Sequence, residues 1–249
     1  MRNAWIIARR ELGAIFVQPI AYIVAVVLLL LCGAIFSGGI ASYFQAAQFG
    51  QQPAPPAIAN VMGFFIFLSL FVVPAITMRL LSEEQKSGTI ELLMTLPVRD
   101  GEVVLGKFLA AFIYYLSIVA FTLVYPFVLI RFGNPDIGPI LTMYLGVILS
   151  VGAMIALGVF ASALSQNQIV AYILSFGLIL FLYLTDFFAQ GFASSNETAQ
   201  TILTELSFQG HSIGFARGVI EVKAIVYYVA VIVMALFAAA RVLESKRWR

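Results

Sequence analysis

The chain has 249 residues, of which 62% are hydrophobic and 10% charged, and its mean hydropathy is +1.01. A soluble domain carries ~25% charged residues, so there are too few here to solvate a surface, and the apolar residues arrive in long blocks rather than at alternating or helical spacing. One cysteine, Cys32, excludes an internal disulfide framework and paired thiolate ligands, and one histidine, His211, excludes a multi-histidine metal site.

At the N-terminus, Trp5, Ala8, Leu12, Ile15 and Phe16 fall at helical spacing, with Arg2, Arg9 and Arg10 placed for phospholipid headgroups. This predicts an amphipathic interfacial helix over 1–18, ended by Pro19. Glu11 and the apolar content of this stretch argue against a signal n-region. Leu31 stands where a lipoprotein cleavage box needs a small residue, so the block that follows is read as a retained span.

Six blocks reach or approach the ~20 apolar residues that cross a hydrocarbon core. They lie at about 20–43, 58–78, 108–130, 139–164, 169–185 and 224–240, the fifth being short. Continuous rather than alternating apolarity selects helices, which satisfy their backbone hydrogen bonds one span at a time. The expectation is an all-α membrane protein with a single transmembrane domain over 1–249. With both ends on one side, that side holds eleven of the fourteen Lys and Arg residues, and the other holds only Arg131, Arg217 and Lys223. The positive-inside rule then puts the termini and the loop 79–107 in the cytoplasm and the segment 186–223 outside. Pro126 predicts a kink in the third span, because proline removes one helical hydrogen bond. Gly33, Ser37 and Ala41 in the first span, and Gly152, Ala156, Gly158 and Ser162 in the fourth, allow close helix approach.

The external stretch 45–56, rich in Ala, Gln and Pro, reads as an uncharged linker or partner-facing loop. In 186–223, Thr201, Leu203, Leu206, Phe208 and Ile213 make an amphipathic pattern that predicts short helices on or dipping into the outer leaflet. His211 and Arg217 are assigned to stabilising that cap or meeting headgroups rather than to a substrate.

No charged residue lies near the middle of a predicted span, so the groups that carry coupled charge in ion-driven transporters are missing. No HExxH-like run or buried nucleophile–base pair suggests chemistry. Gly101 to Lys107 nearly spells a phosphate-binding loop, but Phe108 replaces the hydroxyl residue, no strand pattern precedes it and a span follows. It is read as a helix approaching the bilayer with Lys107 as a basic anchor. Neither ion coupling nor a nucleotide site is visible, so energy for any transport must come from elsewhere.

The informative loop joins spans two and three. Gly88 breaks the helix leaving span two, and Glu91 falls in the first turn of a new short helix, where the helix dipole favours it. Ile90, Leu92, Leu93, Met94 and Leu96 make that helix apolar, and Pro97 ends it. Spacing alone leaves open whether it packs on the protein's own helix ends or is covered by a partner.

Glu83-Glu84-x-x-x-Gly88-Thr89-Ile90-Glu91-Leu92-Leu93-x-Thr95-x-Pro97 resembles the signature of type-2 ABC exporter permeases. The tail, with Ser207-Phe208-x-x-His211, Phe215 to Ile220 and Leu243 to Trp248, looks like the gliding-motility-type branch of that family. The resemblance covers nearly the whole chain. It implies six transmembrane helices, an amphipathic N-terminal helix, re-entrant helices between spans five and six, and a homo- or heterodimer of permeases. It further implies an ABC ATPase dimer that binds ATP and Mg in its own subunits, so this chain needs no cofactor and is not itself an enzyme. In the family, the segment equivalent to 88–97 is a coupling helix seated on the ATPase, with Glu83 and Glu84 in the same transmission region. Arg9, Arg10 and Glu11 form a second candidate contact. An accessory envelope protein and the lipid bilayer complete the expected partners, and nucleic acid is not among them. A prokaryotic plasma membrane is the expected location. A force-transmitting or envelope-remodelling ABC complex, and an ATP-independent channel, remain as other classes that fit these spans.

Overall fold

The computed structural model describes residues 2–49, 58–88, 99–133, 135–191 and 197–247. Among these residues the secondary structure is helical throughout. α1 (Arg2–Val17) is followed by α2 (Pro19–Gln48), α3 (Ile58–Thr77), α4 (Arg79–Lys86), α5 (Asp100–Thr122) and α6 (Val124–Phe132). Then come α7 (Ile137–Leu164), α8 (Gln168–Gly191), α9 (Glu197–Leu206), α10 (Phe208–Ala216) and α11 (Val222–Arg247). Six stretches are long and apolar enough to cross a membrane, with α3 and α4 counted as one and α5 and α6 as another.

α7 is the central helix. It touches α3, α4, α5, α8, α10 and α11, and it is the most buried of the six spans. Lipid tails are as apolar as leucine, so helices in a bilayer associate through close packing rather than hydrophobic exclusion. The small residues of α7 serve that purpose inside this chain. A Cβ on Gly152 would meet Phe112 at 3.2 Å and Ile232 at 3.3 Å, and one on Gly146 would meet the Phe215 ring at 2.9 Å. In α2, by contrast, Ser37 and Ala41 are exposed, and α2 contacts mainly α3.

Near Pro126, where a kink is expected, the helix is interrupted at Leu123, between α5 and α6, and the chemistry of the break is visible. Pro126 has no N–H for the Thr122 carbonyl, and the Tyr144 hydroxyl of α7 donates to that oxygen instead, at 2.9 Å. The fifth spanning helix runs longer than its sequence pattern suggests. α8 continues past Asp186 to Gly191 because Asp186 stays on the helix surface and accepts a hydrogen bond from Gln190 at 2.8 Å.

Beyond it, α9 and α10 form the short helices expected between the last two spans. α10 folds back onto α7, where Thr142 Oγ1 donates to the Phe215 carbonyl at 2.8 Å, and Tyr228 of α11 donates to the Phe208 carbonyl at 2.8 Å. His211 is buried there, its Nδ1 2.8 Å from the Ser207 carbonyl and its ring stacked on Tyr227 at 4.2 Å. The cap thus uses the histidine structurally. Gly218, at φ +86°, provides the left-handed turn into α11.

Candidate functional site

The helix that carries Glu83 and Glu84 out of the bundle does not leave α3 unbroken. Pro74 removes a backbone donor near the end of α3, a turn follows at Met78, and α4 begins at Arg79. The N–H groups of Leu81 and Ser82 both donate to Ser162 Oγ on α7, at 3.0 and 3.1 Å, while that hydroxyl donates to the Met78 carbonyl at 3.0 Å. One side chain from a neighbouring helix therefore serves three backbone groups at the junction. Gly158, one turn earlier on α7, makes the approach possible, since a Cβ there would overlap the Thr77 side chain and stand 2.8 Å from its Cβ. Span two is thus two rods with a bonded joint.

A second attachment is ionic. Lys107 of α5 is 1% exposed, and its Nζ lies 2.8 Å from Glu84 Oε1 and 3.3 Å from Glu11 Oε1. A buried ammonium requires such compensation, because an unpaired charge out of water costs several kcal/mol. Lys107 is therefore a junction of α1, α4 and α5 rather than an anchor on headgroups. α5 is helical from Asp100 onward, so the phosphate-loop-like residues 101–107 are a helix and not a loop.

The third attachment lies at the end of α7. Gln85 Nε2 donates to the Ala163 carbonyl at 3.0 Å, and Lys246 Nζ of α11 donates to Gln85 Oε1 at 2.6 Å and to Ala163 O at 2.9 Å. Carbonyls in the last turn of a helix lack helical donors and sit at the negative end of its dipole, so a lysine is well suited there. α4 is consequently bonded to α1 and α5 through Lys107, and to α7 and α11 through Ser162, Gln85 and Lys246.

α1 itself runs along the first turns of α5. Asn3 Nδ2 donates to Glu102 Oε2 at 3.1 Å, and Phe16 meets Tyr114 edge to face at 5.7 Å. Gly106 allows this contact, since a Cβ on it would stand 2.8 Å from Ile7 Cβ and 2.9 Å from the Ala4 carbonyl oxygen. The buried face of α1 centres on Ala4 and Ala8, whereas Trp5, placed on that face by spacing, is 58% exposed.

The predicted site residues divide accordingly. Glu84 faces Lys107, while Glu83 is exposed. Gly88 follows α4 with φ +72°, the left-handed backbone that ends a helix most easily with glycine. Thr89, Ile90, Glu91, Leu92, Leu93, Thr95 and Pro97 lie outside the described residues. Arg9 and Arg10 are exposed beside Trp5 and Ile6, and Glu11 turns away from them toward Lys107, so these three do not form one contact surface. Ser162, Gln85 and Lys246 were not singled out from sequence as parts of this site. The only signal for Lys107 was a lone lysine at the threshold of an apolar run, with acids in two other segments at the same end.

Residues 5–211 match the family described as ABC-2 family transporter protein. Comparison with curated proteins gives no match. The matched stretch takes in α4, its Lys107 and Ser162 attachments and five of the six spanning stretches. The chain belongs to the ABC-2 transporter family, as a transmembrane permease of an ABC transporter.

Proposed function

We propose that this permease is an exporter subunit driven by separate ATPase subunits that dock beside α4, and that α4 with the segment 88–97 is the mechanical input. The observation that carries this reading is the set of bonds on α4. It leaves a spanning helix at a bonded joint, is tied to α1, α5, α7 and α11, and leads through Gly88 into the apolar segment that begins at Thr89. A displacement delivered at 88–97 would reach four helices through these bonds, with the Met78–Ser162 joint setting the angle between α4 and α3.

In this reading the end holding α1, α4 and the close of α11 is cytoplasmic, in accord with its excess of Lys and Arg. The segment 88–97 faces the ATPase, Glu83 belongs to the transmission region as part of α4, and Arg9 and Arg10 offer a separate basic contact. Glu84 and Glu11 serve inside the permease. A second permease subunit pairs with this one in a prokaryotic plasma membrane, and the Leu243 to Trp248 motif favours the gliding-motility-type branch.

The test has two parts. Purification in mild detergent is expected to bring down a nucleotide-binding subunit, and Leu92→Asp or Leu93→Asp is expected to uncouple transport while leaving membrane insertion intact. Normal ATPase association and transport-stimulated hydrolysis in both variants would reject the coupling assignment. Absence of any ATPase from the purified complex would reject the exporter reading.

A further inference from the structure

A cleft of about 110 Å³ opens between the end of α1, the start of α2, the α3–α4 joint and the side of α5. Its walls differ in kind. Ile20 and Val24 of α2 and Ile76 of α3 present hydrocarbon, whereas Glu11, Arg79 and Glu83 bring charge to the other side. The division falls where the apolar helix α2 begins, at Pro19, and where α3 ends, at Thr77. Hydrocarbon on one side and ions on the other, at the ends of spanning helices, matches the division of a lipid into chain and headgroup.

Arg79 points to what the cleft holds. Its Nε is buried without a hydrogen-bond partner, and no carboxylate pairs with its guanidinium among the described residues. A guanidinium that lines a cleft without a carboxylate partner is poorly compensated, so an anion entering that cleft fits here. Glu11 is engaged by Lys107, which leaves Glu83 as the carboxylate at the rim. One guanidinium beside one carboxylate suits a phosphate beside an ammonium. A purely anionic headgroup would satisfy Arg79 but bring negative charge against Glu83. A choline headgroup has no N–H to donate.

We propose that this cleft binds a phospholipid with a primary-amine headgroup, its phosphate on Arg79, its ammonium at Glu83 and one acyl chain along Ile20, Val24 and Ile76. The site does not depend on the direction of transport or on the ATPase partner. A guanidinium–phosphate pair of this kind is also geometrically selective, because the planar fork matches two phosphate oxygens.

Native mass spectrometry tests this on the protein purified in mild detergent, titrated with phosphatidylethanolamine, phosphatidylglycerol and phosphatidylcholine of identical chains. Phosphatidylethanolamine is expected to be retained best. Arg79→Gln should lower its retention by roughly tenfold, the loss expected for one charge-assisted hydrogen bond. Glu83→Gln should remove the preference over phosphatidylcholine while leaving phosphatidylglycerol retention equal or higher. Val24→Trp, which fills the hydrocarbon wall and leaves every charge in place, should also reduce retention, and it decides the matter if Arg79→Gln does not fold. Glycerophosphoethanolamine, which has the headgroup without chains, should compete poorly. The proposal fails if phosphatidylglycerol is retained more tightly than phosphatidylethanolamine or if all three lipids are retained equally. It fails also if the folded variants bind as wild type, or if the chain-free headgroup displaces the lipid as well as the lipid displaces itself.

Discussion

Lys107 of α5 stands 2.8 Å from Glu84 of α4, and Glu11 of α1 closes on the same ammonium at 3.3 Å. Three helices from separate parts of the chain are thereby joined at one buried charge. The pairing links α1 to α4 by way of α5, on which an N-terminal helix that touches α2 only lightly does most of its packing.

Lys107→Met would leave two carboxylates sharing one partly buried site. Both still reach solvent, at 20% and 18% side-chain exposure, so the cost should be about 1–3 kcal/mol rather than the full penalty of a sealed charge. Glu84→Gln should cost less, because Lys107 keeps Glu11. Thermal melting in detergent reads the stability, and ATPase stimulation by substrate reads the coupling. A Lys107→Met variant that melts with wild type and couples normally would show that the triad transmits nothing.

Ser162→Ala removes the acceptor for the Leu81 and Ser82 amides without changing helix packing volume much. Amide exchange at those two positions should accelerate, and the joint at Met78 should loosen by about 1–3 kcal/mol of lost hydrogen bonding. Exchange elsewhere in α7 should change little. Unaltered exchange at Leu81 and Ser82 would mean that helical carbonyls within the chain recapture both donors.

Much of this architecture was legible in the sequence, for identifiable reasons. Long apolar blocks mark spanning helices because a bilayer tolerates little else, and Pro126 and Gly88 act on the backbone locally, wherever they fall in the fold. The bonds on α4 were not legible, because each depends on which helices become neighbours. Ser162 is one of several small residues on α7, and nothing in its spacing tells that it caps a helix broken far away in the chain. Lys107 looked like an interfacial anchor because sequence shows a lysine next to an apolar run but not the two carboxylates folded over it. α1 shows the same limit in a milder form: its periodicity was visible, but Gly106 on another helix decides that Ala4 and Ala8, rather than Trp5, face inward.

At the far end, Lys223 of α11 hydrogen-bonds Glu205 of α9, and that contact holds the Glu205 carboxyl below its ordinary value. A depressed carboxylate contributes stability above its unfolded pKa of about 4.3 and loses it as pH falls through the lower folded value. Both groups are largely exposed, so the contribution is small. Melting temperatures of wild type and Lys223→Gln should therefore differ slightly above about pH 5 and converge near pH 3. Curves that stay parallel down to pH 3 would exclude this pair as the source.

Two glycines should respond differently to the same methyl group. A Cβ on Gly158 would overlap Thr77, and it would do so between α3 and α7, near the middle of the bundle's contact network where neither helix can retreat. Gly158→Ala is expected to cost about 1–3 kcal/mol by overpacking, with partial rescue by Thr77→Ala, which removes Oγ1 and Cγ2 but keeps the Cβ that would stand at 2.8 Å. A Cβ on Gly106 would meet Ile7 and the Ala4 carbonyl on α1, which packs chiefly on α5 and touches α2 only lightly. Gly106→Ala should therefore leave the bundle melting near wild type while shifting α1, lengthening the Glu11–Lys107 contact and changing the environment of Trp5. Trp5 fluorescence, with Trp248 replaced by Phe to isolate it, separates the two outcomes. If Gly106→Ala lowers the melting temperature as much as Gly158→Ala does, the α1–α5 seam yields no more readily than the α3–α7 seam and this prediction is wrong.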